Sequence, residues 1–293
     1  MIQAKALINS DFSNCIEDVL YEHAPTNWTL RYDYITGNNY LEGFFKNKHE
    51  AQCSFEYILG SSCFSDLINV TYLKIEEEDW KNSYKKHFHS WMVNNFHWVP
   101  IWEKSTYLKP KDDLMLLLDP GMAFGTGNHE TTKLCLTALV KFQNKSCYLP
   151  KSKFIDIGCG SGIIALTACL LGYKDVIGID NDLDAIKVSN ENATLNNINN
   201  VSFEHKCIET IDDGIKYDFI VANIQSNILQ KNVKNLINIM RDGAILLLSG
   251  ILKKETQEVK FCFENAFIKN KIEINSACYS INEWEMIEFS SIT

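Results

Sequence analysis

The feature that most constrains this chain is a short apolar run that ends in a glycine-spaced turn and passes straight into a helical pattern. Phe154-Ile155-Asp156-Ile157 leads into Gly158-Cys159-Gly160-Ser161-Gly162, after which Ile163, Leu166, Thr167 and Leu170 recur at helical spacing. Glycines permit a tight turn and a close backbone approach by a ligand, and the helix that follows presents free N–H groups at its start. Similar apolar runs at 176–179, 219–222 and 245–248 suit strands covered on both faces, and Ala185, Ile186, Ser189 and Ala193 mark a helix between two of them. Such alternation implies, from about residue 110 onward, a doubly wound, mostly parallel α/β sheet with its chemistry at the carboxyl ends of the strands.

A lone glycine-rich turn does not name its ligand, but its neighbours narrow the choice. Asp180 follows Gly158 by 22 residues and closes the run at 176–179, where a carboxylate is placed to accept from both ribose hydroxyls of an adenosine ligand. A dinucleotide site prefers Gly-x-Gly-x-x-Gly, which accommodates a pyrophosphate; here the third glycine comes one place earlier and Asp156 stands just before the turn. A carboxylate at 156 repels a pyrophosphate but can recruit the ammonium of a methionine moiety, through the turn or an ordered water. The spacing resembles that of class I S-adenosylmethionine-dependent methyltransferases, with an NAD-dependent dehydrogenase as the lesser reading.

The first 75 residues carry a different pattern. Strands are expected at 2–9, 28–34, 38–45 and 68–75 and helices at 11–22 and 48–59, with Asn38-Asn39 as a hairpin-like turn. The order β-α-β-β-α-β is the split ferredoxin-like unit. Residues 76–109 form a connector: Glu76 to Asp79 open a helix with Trp80, Tyr84 and Phe88 on one face, and Trp80, Trp91, Trp98 and Trp102 make an aromatic seam between domains rather than a stacking platform. His87, His89 and His97 lack acidic or thiol partners at ligand spacing, so no metal site is expected.

Composition excludes whole classes. With 28 basic and 37 acidic residues the net charge is −9, which disfavours direct nucleic-acid binding. No apolar run approaches the roughly 18 residues of a membrane span, and the start of the chain is too polar for an export signal. The ten cysteines never occur as Cys-x-x-Cys, consistent with reduced thiols and a cytoplasmic chain, expected to be a monomer.

Three further segments narrow the family. Asp119-Pro120-Gly121-Met122-Ala123-Phe124-Gly125-Thr126-Gly127-Asn128-His129-Glu130-Thr131-Thr132 precedes a helical run from Leu134 to Phe142; Asp218-Phe219-Ile220-Val221-Ala222-Asn223-Ile224 ends a strand; and Asp79-Trp80, His87-Phe88-His89, Trp98-Val99-Pro100 and Trp102 follow in order between the domains. Together with the glycine turn these resemble the ribosomal protein L11 methyltransferases, the PrmA family. The resemblance implies a seven-stranded class I methyltransferase sheet in residues 110–293, a connector at 76–109, and a ferredoxin-like domain in residues 1–75 that recognises the substrate. It carries cofactor contacts over to Thr132, Gly158, Asp180 and Asn223, with Asp156 and Gly160 in the same turn, and makes Asn223 the candidate for orienting the acceptor amine. Thr131 or Thr132 also suits a helix N-cap, and His129 is a weaker candidate.

The implied activity is methyl transfer from S-adenosylmethionine to lysine ε-amines and the α-amine of a ribosomal large-subunit protein. Alternatives are a different protein substrate, a non-catalytic cofactor-binding module, or small-molecule or RNA methylation. Asn128, Glu130, Ile101 and the pair Gln225-Ser226 depart from the family's usual residues, the last of these beside the expected acceptor entrance.

Overall fold

The computed structural model describes residues 2–9, 16, 28–33, 37–59, 69–74, 88–119, 129–143 and 153–292. The expected helix at 11–22, apart from Ile16, the opening of the connector helix with Trp80, Tyr84 and His87, and the loop 120–128 lie outside the described residues. The chain divides into two compact units, Met1–Lys85 and Lys86–Thr293.

The first unit is a four-stranded antiparallel sheet ordered β2-β3-β1-β4, from β1 (Ile2–Ile8), β2 (Trp28–Asp33), β3 (Asn38–Phe45) and β4 (Val70–Lys74), with helix α1 (Lys48–Leu59) between β3 and β4. Alternation decides which face is covered: Ala4, Ala6, Ile8, Trp28, Leu41 and Phe45 share one core with Ala51 of α1. Helix α1 starts where Asn47 Oδ1 accepts the Glu50 amide at 2.9 Å. Asn38 and Asn39 are not the turn: they pair with Asp33 and Tyr32 inside the β2–β3 ladder, and left-handed Gly37 (φ 70°) supplies the reversal, because it meets no Cβ penalty there.

The second unit is built on a seven-stranded sheet ordered β10-β9-β8-β11-β12-β14-β13. Its strands are β8 (Lys153–Ile157), β9 (Asp175–Asp180), β10 (Val201–His205), β11 (Tyr217–Asn223), β12 (Met240–Leu252), β13 (Ile274–Ile281) and β14 (Trp284–Ser291). Only β14 runs against its neighbours, so the sheet is mostly parallel, as a class I methyltransferase sheet. Successive residues of the apolar strands face opposite cores. Phe154, Phe219, Val221, Ile245 and Leu247 pack with α2 (Glu130–Gln143) and α3 (Ile163–Leu170). Ile155, Ile157, Ile220, Ala222, Leu246 and Leu248 pack beneath α5 (Ser226–Lys231), α6 (Val233–Asn238) and α7 (Thr256–Lys269). Helix α4 (Leu183–Leu195) connects β9 to β10 and starts with Asp182 accepting the Asp184 amide.

The aromatic segment belongs to the second unit's own core. The strands β5 (Trp91–Val93), β6 (Phe96–Pro100) and β7 (Leu114–Leu118) form a separate three-stranded sheet, the last pair parallel. Phe88, Phe96 and Trp98 are buried in the core of α2 and α3, Trp91 stacks on Trp98 at 4.2 Å, and Trp98 Nε1 donates to Thr167 Oγ1 at 2.9 Å. Of the four tryptophans expected to form an interdomain seam, Trp80 lies outside the described residues, and Trp98 lies in this core with Trp91 and Trp102 packed against it. His97 is buried there, its ring nitrogens each 2.8 Å from Tyr107 Oη and Asp113 Oδ2.

Candidate active site

The carboxyl ends of β8, β9, β10 and β11 converge on a cavity of about 240 Å³ whose wall includes Gly158, Ile179, Asp180, Lys206, Ile208 and Ile224. The turn after β8 is held against β9 because Ile179 O accepts both the Gly158 amide at 2.9 Å and the Cys159 amide at 3.0 Å. Gly158, Gly160 and Gly162 all have positive φ, so the glycine spacing answers a backbone requirement. At Gly158 (φ 72°) a Cβ would stand 2.4 Å from Ile224 Cγ2, and at Gly162 2.8 Å from the Phe203 ring.

Asp180 is fixed by two backbone donors. Its Oδ2 accepts the Gly160 amide at 2.9 Å and its Oδ1 accepts the Asp182 amide at 3.0 Å, which leaves each oxygen a lone pair for a further donor. Asp156 lies beneath the turn, fully buried, with Oδ2 accepting the Ala165 amide of α3 at 3.1 Å and Oδ1 without a partner. Burial, with nearby Asp180 adding to it against the Ala165 bond, pushes the Asp156 carboxyl up to about 7.

Across the sheet, Thr132 and Asn223 meet. Asn223 ends β11, and its Nδ2 donates to the buried Thr132 Oγ1 at 3.4 Å while its Oδ1, also buried, has no partner. Thr131 and Thr132 are not caps: α2 begins at Glu130, which places both inside its first turn, and the Thr131 amide turns back to His129 Nδ1 at 3.4 Å. His129 Nδ1 is also 2.8 Å from Thr131 Oγ1 and its ring packs edge-on to Trp284.

Thus Gly158 and Asp180 line the cavity with Gly160 bonded to Asp180, Asp156 supports the turn from below, and Thr132 with Asn223 forms a separate pair at the neighbouring strand end. Sequence reasoning missed Lys206, Ile208 and Ile224. Lys206 and Ile208 follow β10 (VSFEH), which is too polar to stand out, and Ile224 stands in the sequence only as the end of the β11 motif. It also missed Asn192 of α4, whose amide bridges Ser161 O at 3.0 Å and the Asp119 amide at 2.9 Å, joining the glycine turn to the end of β7.

Residues 5–290 match the family model for ribosomal protein L11 methyltransferase (PrmA). The chain belongs to the ribosomal protein L11 methyltransferase family. Among its relatives, the "Ribosomal protein L11 methyltransferase" of Caldicellulosiruptor saccharolyticus is 36% identical over 214 residues, 73% of this chain and 66% of that one. That of Clostridium botulinum is 37% identical over 187 residues, 64% of this chain and 57% of that one. The match therefore spans somewhat less than two thirds of the length of these relatives. A crystal structure of ribosomal protein L11 methylase from Lactobacillus delbrueckii subsp. bulgaricus superposes with a TM-score of 0.58 at 27% identity, covering 70% of this chain and 100% of that one. Family membership covers both units, since the matched range runs from within β1 to within β14.

Proposed function

We propose that this chain transfers methyl groups from S-adenosylmethionine to amines of a ribosomal large-subunit protein, the L11 protein. The observation that carries the reading is the partnerless, buried Oδ1 of Asn223 at the end of β11, next in sequence to the cavity wall residue Ile224. A buried acceptor without a partner is costly unless a donor arrives to meet it, and an amine is such a donor.

The cavity fits the cofactor's chemistry. Asp180 would hold the ribose hydroxyls, Ile179, Ile208 and Ile224 would flank the base, and Gly158 gives the backbone room to approach. Asp180 at the end of β9, with the buried Asp156 beneath the glycine turn, suits a cationic sulfonium better than a pyrophosphate, which favours this cofactor over NAD. When bound, the cofactor supplies an electrophilic methyl carbon on a positively charged sulfur. Asn223 accepts a hydrogen bond from the incoming amine and directs its lone pair, while Thr132 fixes the Asn223 amide by taking the Nδ2 hydrogen. The amine must arrive neutral although free lysine has a pKa of about 10.4, and desolvation lowers that value. Orientation is the main contribution, of the kind worth up to roughly 7–11 kcal/mol in well-aligned systems.

Residues 1–75 are proposed to recognise the substrate. The first unit holds 7 basic and 13 acidic residues, so −6 of the net −9 lies there, and the sheet face opposite α1 exposes Leu7, Phe44 and Leu73. That charge balance in sequence, with the exposed apolar side chains, suits a basic protein partner.

Purified chain with tritiated cofactor and undermethylated ribosomal protein tests the reading: label is expected on that protein, and Asn223→Ala is expected to lower kcat about 10- to 100-fold with a much smaller change in cofactor affinity. Stoichiometric cofactor binding without any label on the ribosomal protein rejects the substrate.

A further inference from the structure

We propose that Ser249 is a positioning residue that sets the Asn223–Thr132 pair, acting through the backbone of Thr131. The inference rests on the reading of Asn223 as the group that orients the acceptor amine.

Ser249 ends the apolar run of β12, fully buried where hydrophobic residues surround it. A hydroxyl there is unfavourable unless it is hydrogen-bonded. Its Oγ donates to Thr131 O at 3.1 Å, in the first turn of α2. In the sheet, Ser249 stands directly beside Asn223 of β11. Asn223 in turn donates to Thr132, the residue after Thr131. The contacts close a ring: Asn223 beside Ser249 through strand pairing, Ser249 to Thr131 through its hydroxyl, Thr131 to Thr132 through the chain, and Thr132 back to Asn223 through its own hydroxyl.

Two features lock that ring. Cys135, one turn along α2, is buried and hydrogen-bonds Ser249, and burial pushes its thiol up to about 12, so it stays a neutral S–H group beside the serine. Gly250 follows with φ 83°, and a Cβ at that position would stand 2.4 Å from Ile224 O, so β12 bends against the segment that carries Asn223. An alanine at 249 would keep the strand but remove the hydrogen bond from the serine hydroxyl to Thr131 O, together with the contact to Cys135. Thr132 would then be free to drift from Asn223, and a longer contact at 3.4 Å has little to spare.

The test combines a spectroscopic and a kinetic measurement on the full chain. Ser249→Ala should shift the side-chain amide resonances of Asn223 in a nitrogen–proton spectrum without cofactor, while those of Asn200, bonded to Tyr173 O at a distance in sequence, stay in place. It should lower kcat for methyl transfer about fivefold, with KM for the protein substrate changed less than twofold, as expected for the loss of one hydrogen bond. In an Asn223→Ala background the same substitution should change kcat less than twofold, because residues that act as a unit are not additive. If Ser249→Ala does not fold, Ser249→Cys, which preserves the side-chain shape with a weaker donor, carries the same measurements with an intermediate effect. An unmoved Asn223 resonance, or a fivefold loss in both backgrounds, overturns the inference while leaving Asn223 in its role. An Asn223→Ala chain with the wild-type rate overturns that role and the inference with it.

Discussion

On the β8–β9 side of the site, Asp156, Gly158, Gly160 and Asp180 lie within one strand-turn-helix-strand stretch and contact one another through it. On the β11–β12 side, Asn223 reaches Thr132 across 91 residues of chain, and Ser249 reaches Thr131 across 118. The first wall is made by local backbone geometry and the second by packing of distant elements. A turn that needs positive φ constrains its own sequence, whereas a contact between remote side chains constrains neither segment alone. The local wall should therefore fail through binding, and the assembled wall through stability and rate.

The largest effect is expected at the assembled wall. Gly250→Ala forces a residue with a Cβ into the left-handed region and against Ile224 O, and should cost about 4 kcal/mol in urea unfolding from strain and overpacking combined. A loss below about 1 kcal/mol would mean that β12 is free to move away from Ile224. At the local wall, Asp180→Ala should weaken S-adenosylhomocysteine binding by about 3 kcal/mol, roughly 100-fold, measured by calorimetry, because two charge-assisted hydrogen bonds to the ligand are lost. An unchanged affinity there would remove Asp180 from the site.

The smallest effect distinguishes support of the turn from ligand contact. Asp156 is fully buried with its carboxyl raised to about 7, from about 4 in an unfolded chain. The folded state therefore holds a proton that the unfolded state releases, and stability falls as pH rises from about 4 through about 7. Between pH 5 and pH 7 wild type should lose about 2 kcal/mol relative to Asp156→Asn in unfolding free energy, the variant being spared the buried charge. Parallel profiles for the two chains would place the raised group elsewhere.

Residues in the strands and in the glycine turn were legible because period and spacing are local: 154–157 became β8, the run from Ile163 to Leu170 became α3, and Gly158, Gly160 and Gly162 took the positive φ values that their spacing asked for. What escaped was nonlocal. Leu114 to Leu118 is an apolar run with nothing in it to say that it joins β6 in a small sheet, and β5 has three residues, too few for a pattern. The Thr131 and Thr132 hydroxyls look like caps in sequence because Ser and Thr favour N-caps, yet α2 starts one residue earlier, the Thr131 hydroxyl turns back to His129 and the Thr132 hydroxyl meets Asn223.

By itself the sequence determined that a parallel α/β sheet carries a glycine turn with an acid at the next strand end, because alternation and left-handed glycines are demands of single segments. Only the tertiary structure decided that Asp156 would be sealed beneath that turn, that Trp98 would bond Thr167 inside the second unit's core, and that Asn223, Thr132 and Ser249 would close on one another. Burial and cross-sheet bonds depend on which distant surfaces come to share a core, and no one segment carries that information.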